Sequence, residues 1–519
     1  MNTKIITVCS LVVLFFISSC QSAPDDSLYT DNGMMQSMMM PDFNSLEDES
    51  YKEFEENKFL SPYEFPLSTF SIDVDVASYS NIRRFINSGK LPPVDAIRIE
   101  EMINYFSYDY PQPDGADPVR ISTEIGNCPW NSQNRLVKIG LKAKEIPSEN
   151  LPASNFVFLI DVSGSMYGAG RLPLVKSSLK LLLNNLRDKD RVAIVTYAGA
   201  AGVVLPSTSA KDKQKIVESL ESLTAGGSTA GGTGIKLAYK IAKDNFIYGG
   251  NNRVILCTDG DFNVGVSSNK DLEELIAQQR KTSIFLSVLG YGMGNYKDDK
   301  MQTLAQAGNG NHAYIDNLQE ANRVLVKEFG STMYAVAKDV KLQIEFNPTK
   351  VQAYRLIGYE TRLLDNEDFN DDTVDAGEMG AGHTVTAFYE IVPVGVNSNV
   401  YNPGNVDPLK YQRPKDSETD IINSPEMMLV KLRYKSIDSD ISDKVEMPIV
   451  DNGGNNVSQD FRFAASVTMF GMLLRDSKYK ADANYSKLVE LANQGIDNDD
   501  LGYRREFVRL AETAKGIAK

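Results

Sequence analysis

Asp161, Ser163 and Ser165 alternate along the segment Asp161-Val162-Ser163-Gly164-Ser165-Met166. In an extended loop, alternate side chains point the same way. Two further clusters follow, Gly226-Gly227-Ser228-Thr229 and Thr258-Asp259-Gly260. Together they offer two carboxylates, Asp161 and Asp259, and three hydroxyls, Ser163, Ser165 and Thr229. All five are hard oxygen donors. Such a set suits a small divalent cation in octahedral geometry, Mg²⁺ first and Ca²⁺ or Mn²⁺ after it. With few protein charges on it, the cation stays electrophilic. An open coordination position would then attract an acidic side chain from a partner protein. Gly164 and the Gly226-Gly227 pair let backbone segments approach closely.

Other chemistries find little support. The 519 residues include 2 His, His312 and His383, which leaves no basis for multi-His metal sites and weakens the case for triad hydrolysis. No nucleophile-base pair is visible, so no enzyme is expected. The net charge of -15 repels a phosphate backbone, so nucleic-acid binding is not expected. Gly226–Lys236 lacks the Gly-Lys-Ser/Thr of a P-loop. Gly308–Ala313 partly fits a dinucleotide fingerprint but follows a helix and precedes a strand, so no nucleotide is expected either. Asp368–Asp375 has Thr373 where a calcium loop needs Gly and reads as a solvated acidic loop. Asp73 and Asp75 form a carboxylate pair with no basic neighbour identifiable in sequence. With 4 Cys there is no disulfide scaffold, and Cys128 and Cys257 read as buried thiols.

The elements that must position the five oxygens are legible as alternating strands and helices. Asn155–Ile160 is a nearly continuous apolar run, as a parallel strand covered on both faces requires. Leu172, Val175, Leu179, Leu182 and Leu186 recur at helical spacing after it. Strands are expected at 191–197, 254–258 and 283–289, with a short edge strand at 203–205. Helices are expected at 211–223, 233–246 and 271–281, and a helix-strand-helix at 300–328. This alternation predicts an α/β fold with a doubly wound, Rossmann-like sheet, whose ligands sit at the carboxyl ends of the strands. All three donor clusters fall in loops at that end.

The Asp-x-Ser-x-Ser motif, the later Thr and the later Thr-Asp-Gly resemble the metal-ion-dependent adhesion site of von Willebrand factor type A domains. The resemblance covers residues 153–332. It implies that Asp161, Ser163, Ser165, Thr229 and Asp259 are metal ligands. It also implies a non-enzymatic protein-binding role of adhesion type, or alternatively a structural role in assembling an envelope complex or transporter. Ser68–Asp75, Arg98–Phe106 and Gly382–Glu390 are similar to regions of YfbK-like bacterial lipoproteins, which extends the resemblance over nearly the whole chain.

Ordinary composition, 42% hydrophobic and 24% charged, allows about three to five domains in this length. Val119–Gly126 and Leu136–Lys144 alternate as strands before the α/β domain; 340–346, 351–359, 383–392 and 427–434 do so after it. These regions, 119–152 and 333–458, are expected to form a β-sandwich into which the α/β domain is inserted or beside which it sits. Residues 61–118 form an N-terminal region, and 459–519 a C-terminal helical segment with a Phe/Leu stripe at core positions. At the N-terminus, the apolar run Ile5–Ile17 leads into Ile17-Ser18-Ser19-Cys20, which resembles a lipobox. It implies a signal peptide over 1–19 and lipidation of Cys20. Gln21 in place of Asp points to the outer membrane, facing the periplasm or the cell surface. Residues 21–60 carry ten acids against Lys52 and Lys58 and read as a flexible acidic tether.

Overall fold

The computed structural model describes residues 49–518 apart from 228–230, 261–268, 295, 399, 402–421, 423, 438 and 498. Cys20 and Thr229 therefore lie outside the described residues. Glu49 is not part of a free tether. Its carboxylate takes a two-pronged pair from Arg84, with both contacts at 2.7 Å. Glu56 lies 3.3 Å from Arg355, Asn57 Nδ2 donates to the carbonyls of Leu356 and Gly358, and Leu60 exchanges backbone bonds with Tyr354. The expectation of a tether reaching residue 60 is thus corrected for 49–60. Acidic composition marked these residues as solvated, but two of the acids are partners of buried arginines.

Strand β1 (Leu67–Ser71) leads into helices α1 (Ala77–Asn87) and α2 (Ile99–Asn104), then into the hairpin β2 (Val119–Asn127) and β3 (Arg135–Ala143). Six strands follow with intervening helices: β4 (Ser154–Asp161), α3 (Leu172–Asn185), β5 (Arg191–Tyr197), β6 (Ala201–Ser209), α4 (Lys213–Glu221), α5 (Gly231–Asp244), β7 (Asn251–Thr258), α6 (Asn269–Arg280), β8 (Ile284–Tyr291), α7 (Asp298–Ala307) and β9 (His312–Ile315). Short helices α8 (Leu318–Asn322) and α9 (Phe329–Met333) close this segment. The chain then forms β10 (Ala335–Phe346), β11 (Val351–Ile357), β12 (Gly377–Gly380), β13 (Thr384–Pro393), β14 (Met428–Ser436) and β15 (Ser442–Ile449). It ends in α10 (Gln459–Leu474), α11 (Tyr485–Asn493) and α12 (Tyr503–Ile517).

The six-stranded sheet has the order β6-β5-β4-β7-β8-β9, parallel except for β6. The expected short edge strand at 203–205 is in fact the nine-residue β6, antiparallel to β5. Its outward residues are polar or half-exposed, which hid its length. β4 and β7 are buried along their whole length. Phe156, Phe158 and Ile160 face α3 and α4, while Val157 and Leu159 face α5. The chain winds outward from β4 to β6, then crosses back to β7 on the other side of β4. Sheets of this kind bind ligands outside the strand ends where the order reverses. Here that crevice lies beyond Asp161 and Thr258.

Strands from both sides of this segment share sheets. One sheet runs β1-β10-β14-β15 with β12 also on β10; the other runs β11-β13-β3-β2. β3 pairs antiparallel with β13 over eight residues, Thr384 opposite Lys142. The inner faces meet in one core that includes Ile121, Ile139, Leu342, Val385 and Val430. The α/β domain is therefore an insert in a β-sandwich. On the outer face of the second sheet, α10, α11 and α12 pack with α1 and α2, burying Phe461, Phe463, Val467 and Phe470 against Trp130 and Phe388. The Phe/Leu stripe is core.

Buried ion pairs tie insert to scaffold. Arg83 of α1 contacts Asp316 at 2.5 Å and Glu320 at 2.7 Å, and Arg98 contacts Asp298 at 2.7 Å. Arg362 meets both Asp73, at 2.8 Å, and Asp75, at 3.2 Å. This corrects the reading of that carboxylate pair as lacking a basic neighbour. Cys128 and Cys257 are free, buried thiols.

Candidate metal centre

Asp161 is the last residue of the central strand β4 and has no solvent exposure; Asp259 directly follows β7 and is 2% exposed. Both stand at the crevice the strand order creates. The Ser163 amide donates to Asp161 Oδ1 at 2.8 Å, bending the chain just after the strand. Gly164 to Met166 then makes a single 3₁₀ turn, which sets Ser163 Oγ and Ser165 Oγ 3.0 Å apart. The glycine-rich loop is bonded to this one: Gly164 N donates to Gly227 O at 3.0 Å, and Gly226 N to Val162 O at 2.7 Å. Gly227 holds φ +91°, a left-handed value that favours glycine. At Gly226, by contrast, a Cβ would meet nothing within 4 Å, so close approach does not explain that residue.

The structure thus gathers Asp161, Ser163, Ser165 and Asp259 at one crevice. From sequence alone Thr258 figures only as part of its cluster, with no role, and Arg171 is not singled out at all. Thr258 Oγ1 accepts from Gly260 N at 3.2 Å and lies 3.5 Å from Asp161 Oδ2, linking the two acidic loops. Arg171 lies over the site, with Nε 3.7 Å from Asp259 Oδ2 and Nη1 donating to Ser165 O at 2.6 Å. Gly292 makes room for it, since a Cβ there would come within 2.6 Å of Arg171 Nε. Nothing in the sequence around Arg171 signals this packing.

The electrostatics fit a cation. Burial pushes the Asp161 carboxyl up to about 6, and the charge of Asp259 adds to the push; the bonds from Ser163 pull the other way. Two carboxylates are thus held close in a desolvated crevice, where a divalent ion would favour the ionised form of both. Among the described residues, no group of three or more His, Cys, Asp or Glu is placed to hold a metal. A cation here would rely on the serine hydroxyls beside its two carboxylates, a donor set suited to a hard ion.

Residues 155–328 match the model of the von Willebrand factor type A domain, residues 45–138 a model described as von Willebrand factor, and residues 331–517 a model described as uncharacterized protein YfbK, C-terminal. Fold and crevice thus define a von Willebrand type A domain protein, a class of protein-interaction and assembly modules that usually bind a divalent metal at this motif. The chain belongs to the YfbK family: it is 44% identical over 474 residues to the protein described as uncharacterized protein YfbK of Escherichia coli (strain K12), covering 90% of this chain and 81% of that one. An uncharacterized protein of Synechocystis is 23% identical over 312 residues, 58% of this chain and 72% of its own. Among solved structures, a von Willebrand factor type A protein from Catenulispora acidiphila is 18% identical, with a TM-score of 0.40 over 76% of this chain and 91% of that one.

Proposed function

We propose that the chain is an envelope-anchored, metal-dependent protein-binding module and not an enzyme. Asp161, Ser163, Ser165, Asp259 and Thr229 hold a divalent cation, Mg²⁺ first. The bound cation supplies an open Lewis-acid position that accepts a carboxylate of a partner protein. Asp161 and Asp259 would anchor the charge, and the hydroxyls of Ser163, Ser165 and Thr229 would add oxygen donors without neutralising it further. A lipid on Cys20 ties the chain to the outer membrane, facing the periplasm or the cell surface. The observation that carries this reading is the pair of buried carboxylates beside two adjacent hydroxyls at the point where the strand order reverses.

A second reading makes the chain an assembly factor for an envelope complex of the same cell. It is favoured by the buried pairs of Arg83 and Arg98, which fix the insert in its scaffold and so suit a rigid docking platform. The metal reading is tested by Mn²⁺ titration of the mature chain, followed by electron paramagnetic resonance. Asp161→Ala should abolish the tight site, and EDTA should release captured partners. Partner capture that survives both treatments overturns it. Labelling of intact cells separates the two readings, because an external adhesin must be reachable from outside.

A further inference from the structure

Beside the metal-site loops lies an apolar groove of about 500 Å³. Met166, Leu172 and Leu223, all buried, form its floor. Tyr167 and Pro173 stand at its walls. Tyr167 is 81% exposed, although aromatic rings are among the side chains most strongly driven out of water. The groove is continuous with the crevice through the chain itself. Met166 directly follows Ser165, and Ala225, also on the lining, precedes the Gly226 amide that bonds Val162. Its charge is one-sided as well. Lys176 lines it, its Nζ donating to the Glu221 carbonyl at 2.9 Å, Arg171 immediately precedes its lining residue Leu172 and lies 3.7 Å from Asp259, and no carboxylate is among its lining residues.

From this we infer that the groove is the second half of the partner site, and that its occupant is a peptide segment pairing an acidic residue with a large apolar one. The inference rests on the metal reading above. The carboxylate goes to the cation, the apolar side chain enters the groove against Tyr167, and Lys176 and Arg171 favour the segment's negative charge. Ser165 of the crevice and Met166 of the groove are consecutive, so at about 3.3 Å per residue an extended segment of a few residues reaches both. An exposed Tyr beside an apolar pocket is of the residue types that dominate binding energy at protein interfaces.

The test pans a displayed random-peptide library on the immobilised mature chain in Mg²⁺, with elution by EDTA. Recovered peptides should carry Asp or Glu with Leu, Met or Phe within three positions. Tyr167→Ala should weaken a synthetic copy by about tenfold, the loss expected of an interface hot spot, and Lys176→Glu should weaken it too, while both variants bind Mn²⁺ as the parent does. Recovery of acidic peptides with no apolar preference overturns the inference, as does undiminished binding by Tyr167→Ala. Peptides that bind equally in EDTA also overturn it, since they use the groove without the cation. A Mg²⁺-dependent dimer abolished by Tyr167→Ala would make a second copy the occupant and likewise refute it. Failure of the metal reading itself shows separately, as Mn²⁺ binding that Asp161→Ala leaves intact.

Discussion

Arg171 holds its Nε 3.7 Å from the buried carboxylate of Asp259 while its guanidinium clamps the carbonyls of Ser165, at 2.6 Å, and Met293, at 2.8 Å. One side chain therefore both charges the crevice and shapes the loop that carries two candidate ligands. A cation and an arginine share the field of Asp259, and like charges oppose one another.

The first prediction follows from that competition. Arg171→Met should raise the affinity for Mn²⁺, by about threefold to tenfold given the partial exposure of the arginine and an effective dielectric near 20. Calorimetric titration at low salt measures it. A fall in affinity would mean that the arginine's hold on the Ser165 carbonyl outweighs its charge.

The second concerns the buried junction. Arg83 is 3% exposed and contacts Asp316, Glu320 and Glu506. Removing one partner from such a network leaves carboxylates uncompensated in a low-dielectric site, and Arg83→Met should destabilise the chain by about 3–5 kcal/mol. Arg83→Lys should recover little, because a point charge cannot span several acceptors as the planar fork does. The chain has 1 Trp, Trp130, buried in the same core as Tyr105, whose hydroxyl accepts from Arg83 Nη1 at 2.9 Å, so its fluorescence in a urea titration reports the loss. An unchanged midpoint would contradict the prediction.

Acidity supplies the third. Burial pushes the Glu378 carboxyl up to about 7 from its ordinary 4.5, with Asp375 and Asp339 adding to the shift and Arg253 and the bond from Asn309 opposing it. The folded chain then keeps a proton that the unfolded chain releases from about pH 4.5 upward. Its stabilisation is full below that pH and is lost as pH rises through 7. Glu378→Gln keeps an oxygen to accept from Asn309 and removes the titration. The variant should gain stability relative to the parent between about pH 5 and pH 8, read as a difference in unfolding midpoint. A difference independent of pH would show that the carboxyl titrates normally.

Much of the α/β insert was legible because its signals are local. Asn155–Ile160 is apolar along its length since both faces of β4 are covered, and the alternation of strand and helix follows from that layering. Asp161, Ser163, Ser165 and Asp259 were readable because loops at strand ends carry polar residues at fixed spacing. Arg171 was not, since its place depends on the bare backbone of Gly292 far along the chain. Arg362 and Asp75 are 287 residues apart, beyond any spacing rule. β15 was missed although Val445, Met447 and Ile449 alternate and pack on the sandwich core, because the run is short, its first half is polar and Pro448 interrupts it. Acidity at Glu49 and Glu56 marked a stalk only while their arginines were unknown.

The pairing of β3 with β13 sets the order of events during synthesis. The ribosome delivers β1, β2 and β3 long before their partners β10 and β13 exist. Closing that loop over an unstructured insert carries an entropy penalty that grows with the logarithm of its length. An insert that folds first draws its two ends together and shortens the effective loop. Until then β1 and β3 present unpaired edges, the kind that attract other chains. Early folding of the insert thus serves as the nascent scaffold's protection against aggregation. Mutations that merely slow the insert would surface as lost yield before any loss of binding.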